Sequence, residues 1–486
     1  PKYQGGFIWD FVDQGLRVKN KQGKDIYAYG GDFGRYPTSD HNFNNNGIIN
    51  PDRHPNPHAN EVRYFYQDIW ATPKDLKAGT VEVYNEYFFK SLDNVALQWT
   101  LESEGQVVAS GEENLDLQPQ QRKTVTLSGY GLPEKPEKET VLNLDFVLKR
   151  TEPMLKAGYA VARQQFVVNP YTFPTVEAVL AAAPDRAAGE GEKVTKEEMV
   201  ACVTLTAGNT SVTFNRWTGW IDYLDVDGRP MLEEGYAIMP DFWRAPTDND
   251  YGAGAQRKLH AWKNPEMKLK SFDVQWGEKD ADKHVVAVYE MPSVEATLTM
   301  TYTLTPAGEL VVDEAMKVNP DAKEKPELMR YGMQIVMPKA YGSLTYYGKG
   351  PGENYIDRNH GDRLGVYDAK VADLYWGYIR PQESGNKTEV RYWQVKDEYG
   401  RGLEFYATAP MECSTLNYLA SDLDDGWDKN AHQSHSGDLT PRDFSVVKVA
   451  ARQRGLACED SWGAIPLPQY RMPYQDYDFT YVIRPL

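Results

Sequence analysis

The chain has 486 residues, of which 53 are Lys or Arg and 70 are Asp or Glu, giving a formal net charge of −17. So acidic a surface, with no basic run to offset it, repels phosphate backbones and argues against nucleic-acid binding. Charged and hydrophobic fractions of 25% and 41% exclude wholesale disorder. No apolar stretch reaches the ~18 residues needed to span a bilayer.

The first residues, PKYQGGFIWDFVDQG, hold no charged stretch followed by an apolar one, so no signal peptide is read there. A soluble protein of cytoplasm or periplasm is expected. Phe7, Trp9 and Phe11 fall on one parity and Ile8 and Val12 on the other, which predicts a central strand buried on both faces. Such a strand needs ladder partners on both sides. So little precedes it that residues 1–68 are expected to be the tail of a domain whose larger part lies upstream. The tail continues with a polar hairpin from Lys19 to Asp25 that turns at Gly23. A long loop from Gly30 to about Asn60 follows, carrying Asp32, Ser39, Asp40, His41, Asn42, Asn44, Asn45 and Asn46. Loops of that length inside compact domains are more often functional than not. A short amphipathic helix around Glu61 to Asp68 closes the segment.

Residues 69–169 read as a small all-β sandwich, with alternating runs at 81–89, 95–103, 106–111, 123–129, 141–148 and 160–168. Residues 170–198, rich in Ala, Pro, Gly and charge, read as a linker. Residues 199–486 form one large β-rich region, with hairpin cues at DVDGRP (225–230) and TPAGEL (305–310). The three cysteines, Cys202, Cys413 and Cys458, are too few and too far apart for a disulfide framework or a zinc site.

Several constellations carry possible chemistry. Twelve Trp, 32 Tyr and 16 Phe supply flat rings that suit both strands and sugar surfaces. Trp9 reads either as a sugar platform or as a core residue. The Asp32–Asn46 loop offers hard oxygens for Na⁺, Mg²⁺ or Ca²⁺, or else a turn network in which Asn and Asp bond their own backbone. DFWRAPTDND (241–250) favours a structural loop clamped by Arg–Asp pairing, and KGPGENYIDR (349–358) reads similarly. ACEDSWG (457–463) ends an acidic loop on Trp462. No spacing singles out a general acid or nucleophile, so no catalytic residue is assigned.

Taken together, GGFIWDFVDQG (5–15), AYGGDFG (28–34), NFNNNG (42–47), DRHPNPH (52–58), FWRAPTDND (242–250), GKGPGENYIDR (348–358), YIRPQESGNKTEVRYW (378–393) and EDSW (459–462) resemble the C-terminal part of the large β-galactosidases of glycoside hydrolase family 2. The resemblance implies a mainly β chain: the last strand and loops of a (β/α)8 barrel over 1–68, an immunoglobulin-like sandwich over 69–169, and a galactose-mutarotase-like sandwich over 199–486. It implies that Trp9 lines the galactose subsite and that Trp462 is extended by the last domain into the active site, where it stacks on substrate. It implies further that Phe43, through its carbonyl, and Asn46, through its amide, hold a Na⁺ that touches the sugar. Ser39 stands where well-known members carry an Asn at a second Mg²⁺ site, after a turn one residue longer. The resemblance also implies a galactoside substrate, Mg²⁺ and Na⁺ in the intact enzyme with neither fully bound by this chain alone, and an oligomer in the full enzyme. The two catalytic glutamates of this retaining chemistry fall before Pro1, so this chain by itself is expected to be inactive. The competing expectation is a non-catalytic carbohydrate-binding or structural β-sandwich module.

Overall fold

The computed structural model describes residues 5–34, 39–132, 138–181, 194–275, 283–457 and 463–486. It divides into two compact units: Pro1–His58 with Pro174–Asn359 and Tyr367–Leu486, and Ala59–Phe173 with His360–Val366.

The smaller unit is a sandwich of two antiparallel sheets. One orders Ile69–Asp75, Thr80–Asn85 and Arg122–Thr126; the other orders Gln106–Asn114, Val95–Ser103, Thr140–Leu148 and Ala160–Asn169. Its strands alternate because side chains on a pleated strand point to opposite faces. Val81 and Val83 from one sheet, and Leu97, Trp99, Leu142, Leu144 and Phe146 from the other, bury their apolar face in one core. The first strand, Ile69–Asp75, is not anticipated from its sequence, where Pro73 and Lys74 break the apolar pattern. The helix Ala59–Phe65 begins two residues earlier than expected.

The larger unit packs a five-stranded sheet, Thr195–Glu198 through Arg229–Pro230, over a large antiparallel sheet. The main path of the latter runs Met239–Asp241, Arg330–Pro338, Phe444–Gln453, Gly402–Leu416, Tyr477–Pro485, Leu310–Val318, Ala296–Leu304, Lys283–Met291 and Lys268–Gln275. Ala296–Leu304 illustrates the pattern: Leu298, Met300 and Tyr302 face the core, and threonines fill the alternate positions. Against these, Val203, Leu205, Val212 and Phe214 of the five-stranded sheet complete a shared core. The expected linker over 170–198 contains the helix Val176–Ala181 and the strand Thr195–Glu198, which pairs with Cys202–Ala207. The sandwich therefore starts before residue 199.

The opening segment differs from its expectation. Residues 5–11 form no regular strand, and Phe7, Trp9 and Phe11 are exposed. Only one edge is served: Asp10 N donates to Asn46 O, Ile48 N to Asp10 O, Ile49 N to Phe11 O and Asp13 N to Ile49 O, all at 2.9–3.0 Å, and Val12 bridges Ile49 in parallel. An apolar strand is buried only when neighbours cover both faces and both edges, and among the described residues the loop 44–49 covers one edge. The hairpin beyond it forms as read, pairing Leu16–Lys19 with Asp25–Ala28 around Gly23 at φ 78°.

Candidate functional site

The loop after the hairpin is folded around a buried carboxylate. Asp13 Oδ1 accepts the Gly47 amide at 2.7 Å and Oδ2 accepts Asn56 Nδ2 at 3.2 Å. Asn56 Nδ2 also donates to the Gly47 carbonyl at 3.0 Å, and its own oxygen accepts Trp376 Nε1 at 3.1 Å. His58 Nε2 reaches the same Gly47 carbonyl at 3.0 Å. Burial raises the Asp13 carboxyl above its ordinary value, opposed by the Gly47 amide, and burial lowers the His58 imidazole to about 4. Gly47 is required by space: a Cβ there would lie 2.0 Å from the Asp13 nitrogen and 2.5 Å from the Val12 carbonyl carbon.

This knot presents the run Asn42–Asn46. Asn42 is buried, donating from Nδ2 to Asp248 Oδ2 at 2.8 Å and accepting Lys429 Nζ at Oδ1 at 3.2 Å. Lys429 also pairs with Asp248 Oδ1. The side-chain oxygens of Asn44, Asn45 and Asn46 are buried with no hydrogen-bond partner. Three consecutive carboxamide oxygens in that state are costly unless something positive meets them. As neutral hard donors they fit a small alkali cation better than zinc or another soft metal. Ser39 fits a divalent ion poorly, because its hydroxyl accepts the His41 amide at 2.9 Å in a local turn. Among the described residues no group of three or more His, Cys, Asp or Glu is placed to hold a metal ion.

Trp9 is 74% exposed and directly precedes Asp10, whose amide bonds the Asn46 carbonyl, so those two expected site residues meet through adjacent backbone. The Phe43 ring is exposed on the same loop. Trp462 lies outside the described residues. The next residue, Gly463, lies beside the helix Asp248–Ala253: a Cβ there would be 3.5 Å from the Gly252 carbonyl oxygen.

The two glycine- and proline-bearing motifs are clamps. Arg244 is fully buried, bonds both Asp250 oxygens at 2.9 and 3.1 Å, and donates to the carbonyls of Arg454 and Gly455. Asp357 accepts the amides of Leu456 and Ala457 at 3.0 and 2.9 Å. Backbone 454–457 is thus gripped through its carbonyls by one motif and its amides by the other. Glu353 accepts Arg358, Tyr378, Ser384 and the Gly385 amide. Burial opposes its charge, but Arg358 and these donors outweigh it and hold the carboxyl below its ordinary range. A carboxylate so saturated is structural.

Lys429, which joins two of the sequence motifs, sits in a stretch whose composition flags nothing. The charge network of Asp241, Arg330, Glu383 and Lys448 is likewise scattered over some 200 residues of sequence. Only strand order brings its members together.

The family described as "Beta galactosidase small chain" matches residues 206–483, "Beta-galactosidase, domain 4" matches 81–169, and "Glycosyl hydrolases family 2, TIM barrel domain" matches 1–71. A β-galactosidase from Priestia megaterium is 32% identical over 100% of this chain and 45% of its own length. One from Halalkalibacterium halodurans is 32% identical over 99% of this chain and 46% of its own. The chain therefore spans about half the length of these curated relatives. Among solved structures, a putative aldose 1-epimerase from Escherichia coli K12 aligns with 60% of this chain and 99% of its own at 12% identity, with a TM-score of 0.33.

Proposed function

Since the chain belongs to the β-galactosidase small-chain family of glycoside hydrolases, we propose that it supplies the sugar-facing C-terminal part of a retaining β-galactosidase acting on terminal β-D-galactosides. The observation that carries this reading is the juxtaposition of Trp9 and the Asn42–Gly47 loop, with three buried amide oxygens left unpartnered. Trp9 offers an indole face to the apolar side of a pyranose. The Phe43 carbonyl and the Asn46 carboxamide are the groups that would hold Na⁺. When bound, Na⁺ would offer a fixed positive charge to a sugar hydroxyl. The Asp13–Gly47–Asn56–His58 knot fixes the loop, so that these groups meet the sugar without reorganising. Ser39 offers no comparable site for Mg²⁺, and no step is assigned through that ion. Trp462 would add a second ring, from a position a few residues further along the chain than the backbone held by Arg244 and Asp357.

Retaining glycosidases need two carboxyl groups about 5 Å apart across the scissile bond. Asp13, Asp250 and Glu353 are each tied to amides or guanidinium groups, and this reading assigns both catalytic carboxylates to a part of the protein outside residues 1–486. The test is hydrolysis of a nitrophenyl β-galactoside by the full-length protein and by residues 1–486 alone. The full-length protein should turn over and the isolated chain should not. Turnover by the isolated chain that is lost on substituting its own Asp or Glu residues would overturn this division of labour. A full-length protein that binds galactosides without cleaving them would favour a binding module.

A further inference from the structure

We infer that Asn42, Asp248 and Lys429 are positioning residues for the cation loop, so that side chains some 200 and 390 residues downstream set the Na⁺ affinity of the run Phe43–Asn46. This rests on the galactosidase reading above for the identity of the ion.

The run is anchored at its two ends by different means. Downstream, the carbonyls of Asn44 and Asn46 accept the amides of Gln14 and Asp10, both at 3.0 Å. Upstream, the anchor is a side chain. Asn42 is 6% exposed and lies in the short turn His41–Asn44, where its carbonyl accepts the Asn45 amide at 2.9 Å. Its carboxamide gives Nδ2 to Asp248 Oδ2 at 2.8 Å and takes Lys429 Nζ on Oδ1 at 3.2 Å, so both ends of the amide are held. The next residue carries the Phe43 carbonyl, whose direction follows from the backbone torsions that this clamp fixes.

Both partners are themselves held. Asp248 opens the helix Asp248–Ala253, where Thr247 caps the Asp250 amide at 3.2 Å, and its own amide donates to Gln382 Oε1 at 3.2 Å. The Lys429 carbonyl accepts Arg380 Nη2 at 2.7 Å. Charge explains why three groups are used. An ammonium alone beside the run would repel a cation, whereas one paired with Asp248 adds no net charge. The buried, unpartnered carboxamide oxygens of Asn44 and Asn46 therefore meet no uncompensated ammonium from Lys429. Partners that orient a metal's ligands without touching the metal commonly control its affinity.

In the test, Na⁺ is titrated into the full-length protein against choline chloride at constant ionic strength. Its affinity is read from the melting temperature and from KM for a nitrophenyl β-galactoside. Asn42→Ala removes the hub, leaves the Asp248–Lys429 pair and the net charge intact, and should weaken Na⁺ binding about 10-fold. Asp248→Asn, which leaves the Lys429 charge uncompensated, should weaken it at least as much. The double variant Asn42→Asp with Asp248→Asn exchanges carboxylate and carboxamide, keeps the net charge, and should return the affinity to within about threefold of the parent. A purely structural role would lower the melting temperature without Na⁺ and leave the Na⁺ affinity unmoved. That outcome would overturn the inference, as would a double variant no better than Asn42→Ala. A parent that cleaves the galactoside but ignores Na⁺ would overturn the inference alone. A parent that responds to Na⁺ but cleaves no galactoside would overturn the galactosidase reading instead, and the melting-temperature arm would still decide the role of the three residues.

Discussion

Lys429 Nζ lies 3.2 Å from Asn42 Oδ1, joining residues 387 apart in sequence. The same ammonium pairs with Asp248, whose other oxygen accepts Asn42 Nδ2 at 2.8 Å, so three side chains close a triangle beneath the asparagine run.

Replacing Lys429 with Met keeps the stem and removes the charge, leaving Asn42 and Asp248 to repair their bonds with water. The expected cost is about 1–2 kcal/mol in urea denaturation. Lys429→Arg should recover part of it. A Met variant as stable as the parent would show that the triangle contributes nothing.

Gly47→Ala should be worse tolerated than its size suggests. The added methyl meets backbone at 2.0 and 2.5 Å, which cannot rotate away as a side chain can. A loss of about 1–3 kcal/mol is expected. Hydrogen exchange should quicken at Ile48 and Ile49, whose amides bond residues 10 and 11.

His58 makes the same loop acid-sensitive. Its imidazole is lowered to about 4 by burial, whereas an unfolded His takes its proton near 6.5. Between those values the unfolded chain binds the extra proton, so the stabilisation present above about pH 6.5 is lost as pH falls toward 4. His58→Gln keeps a donor without the titration. Its stability relative to the parent should rise steadily from pH 7 to pH 4, and a difference independent of pH would contradict the assignment.

Glu314 shows the opposite sign. It is fully buried in the strand Leu310–Val318, flanked by Met300 and Phe479, and neither side-chain oxygen has a hydrogen-bond partner. Burial, then Asp241 and Asp313, raise its carboxyl well above the ordinary value. The folded state therefore keeps a proton that the unfolded state releases near pH 4.5, and stability falls as pH rises through that value. Glu314→Gln should match the parent near pH 4 and gain on it progressively to pH 8, read as urea midpoints. A variant equally or less stable across that range would refute this reading.

The amino-acid order by itself determined the strands whose apolar residues alternate, though not Ile69–Asp75 or Thr195–Glu198. Alternation in Val95–Ser103, Thr140–Leu148 and Ala296–Leu304 is a local consequence of the pleat, so it survives without knowledge of neighbours. The hairpin turns at Gly23 and at 305–309 are equally local, as is the Arg244–Asp250 pair, six residues apart. The opening aromatic run misled, because burial belongs to whatever covers a strand and not to the strand.

Tertiary structure alone decided the rest. Nothing near Lys429 in sequence announces Asn42, and nothing near Asp13 announces Asn56 and His58 as partners on one glycine. Such sites are assembled by strand order and loop closure, which join groups by space rather than by spacing. A hydrogen bond acts over about 3 Å and carries no trace of sequence distance. Residue type could therefore nominate the asparagine loop, but only the fold could say which of its oxygens are left unpartnered.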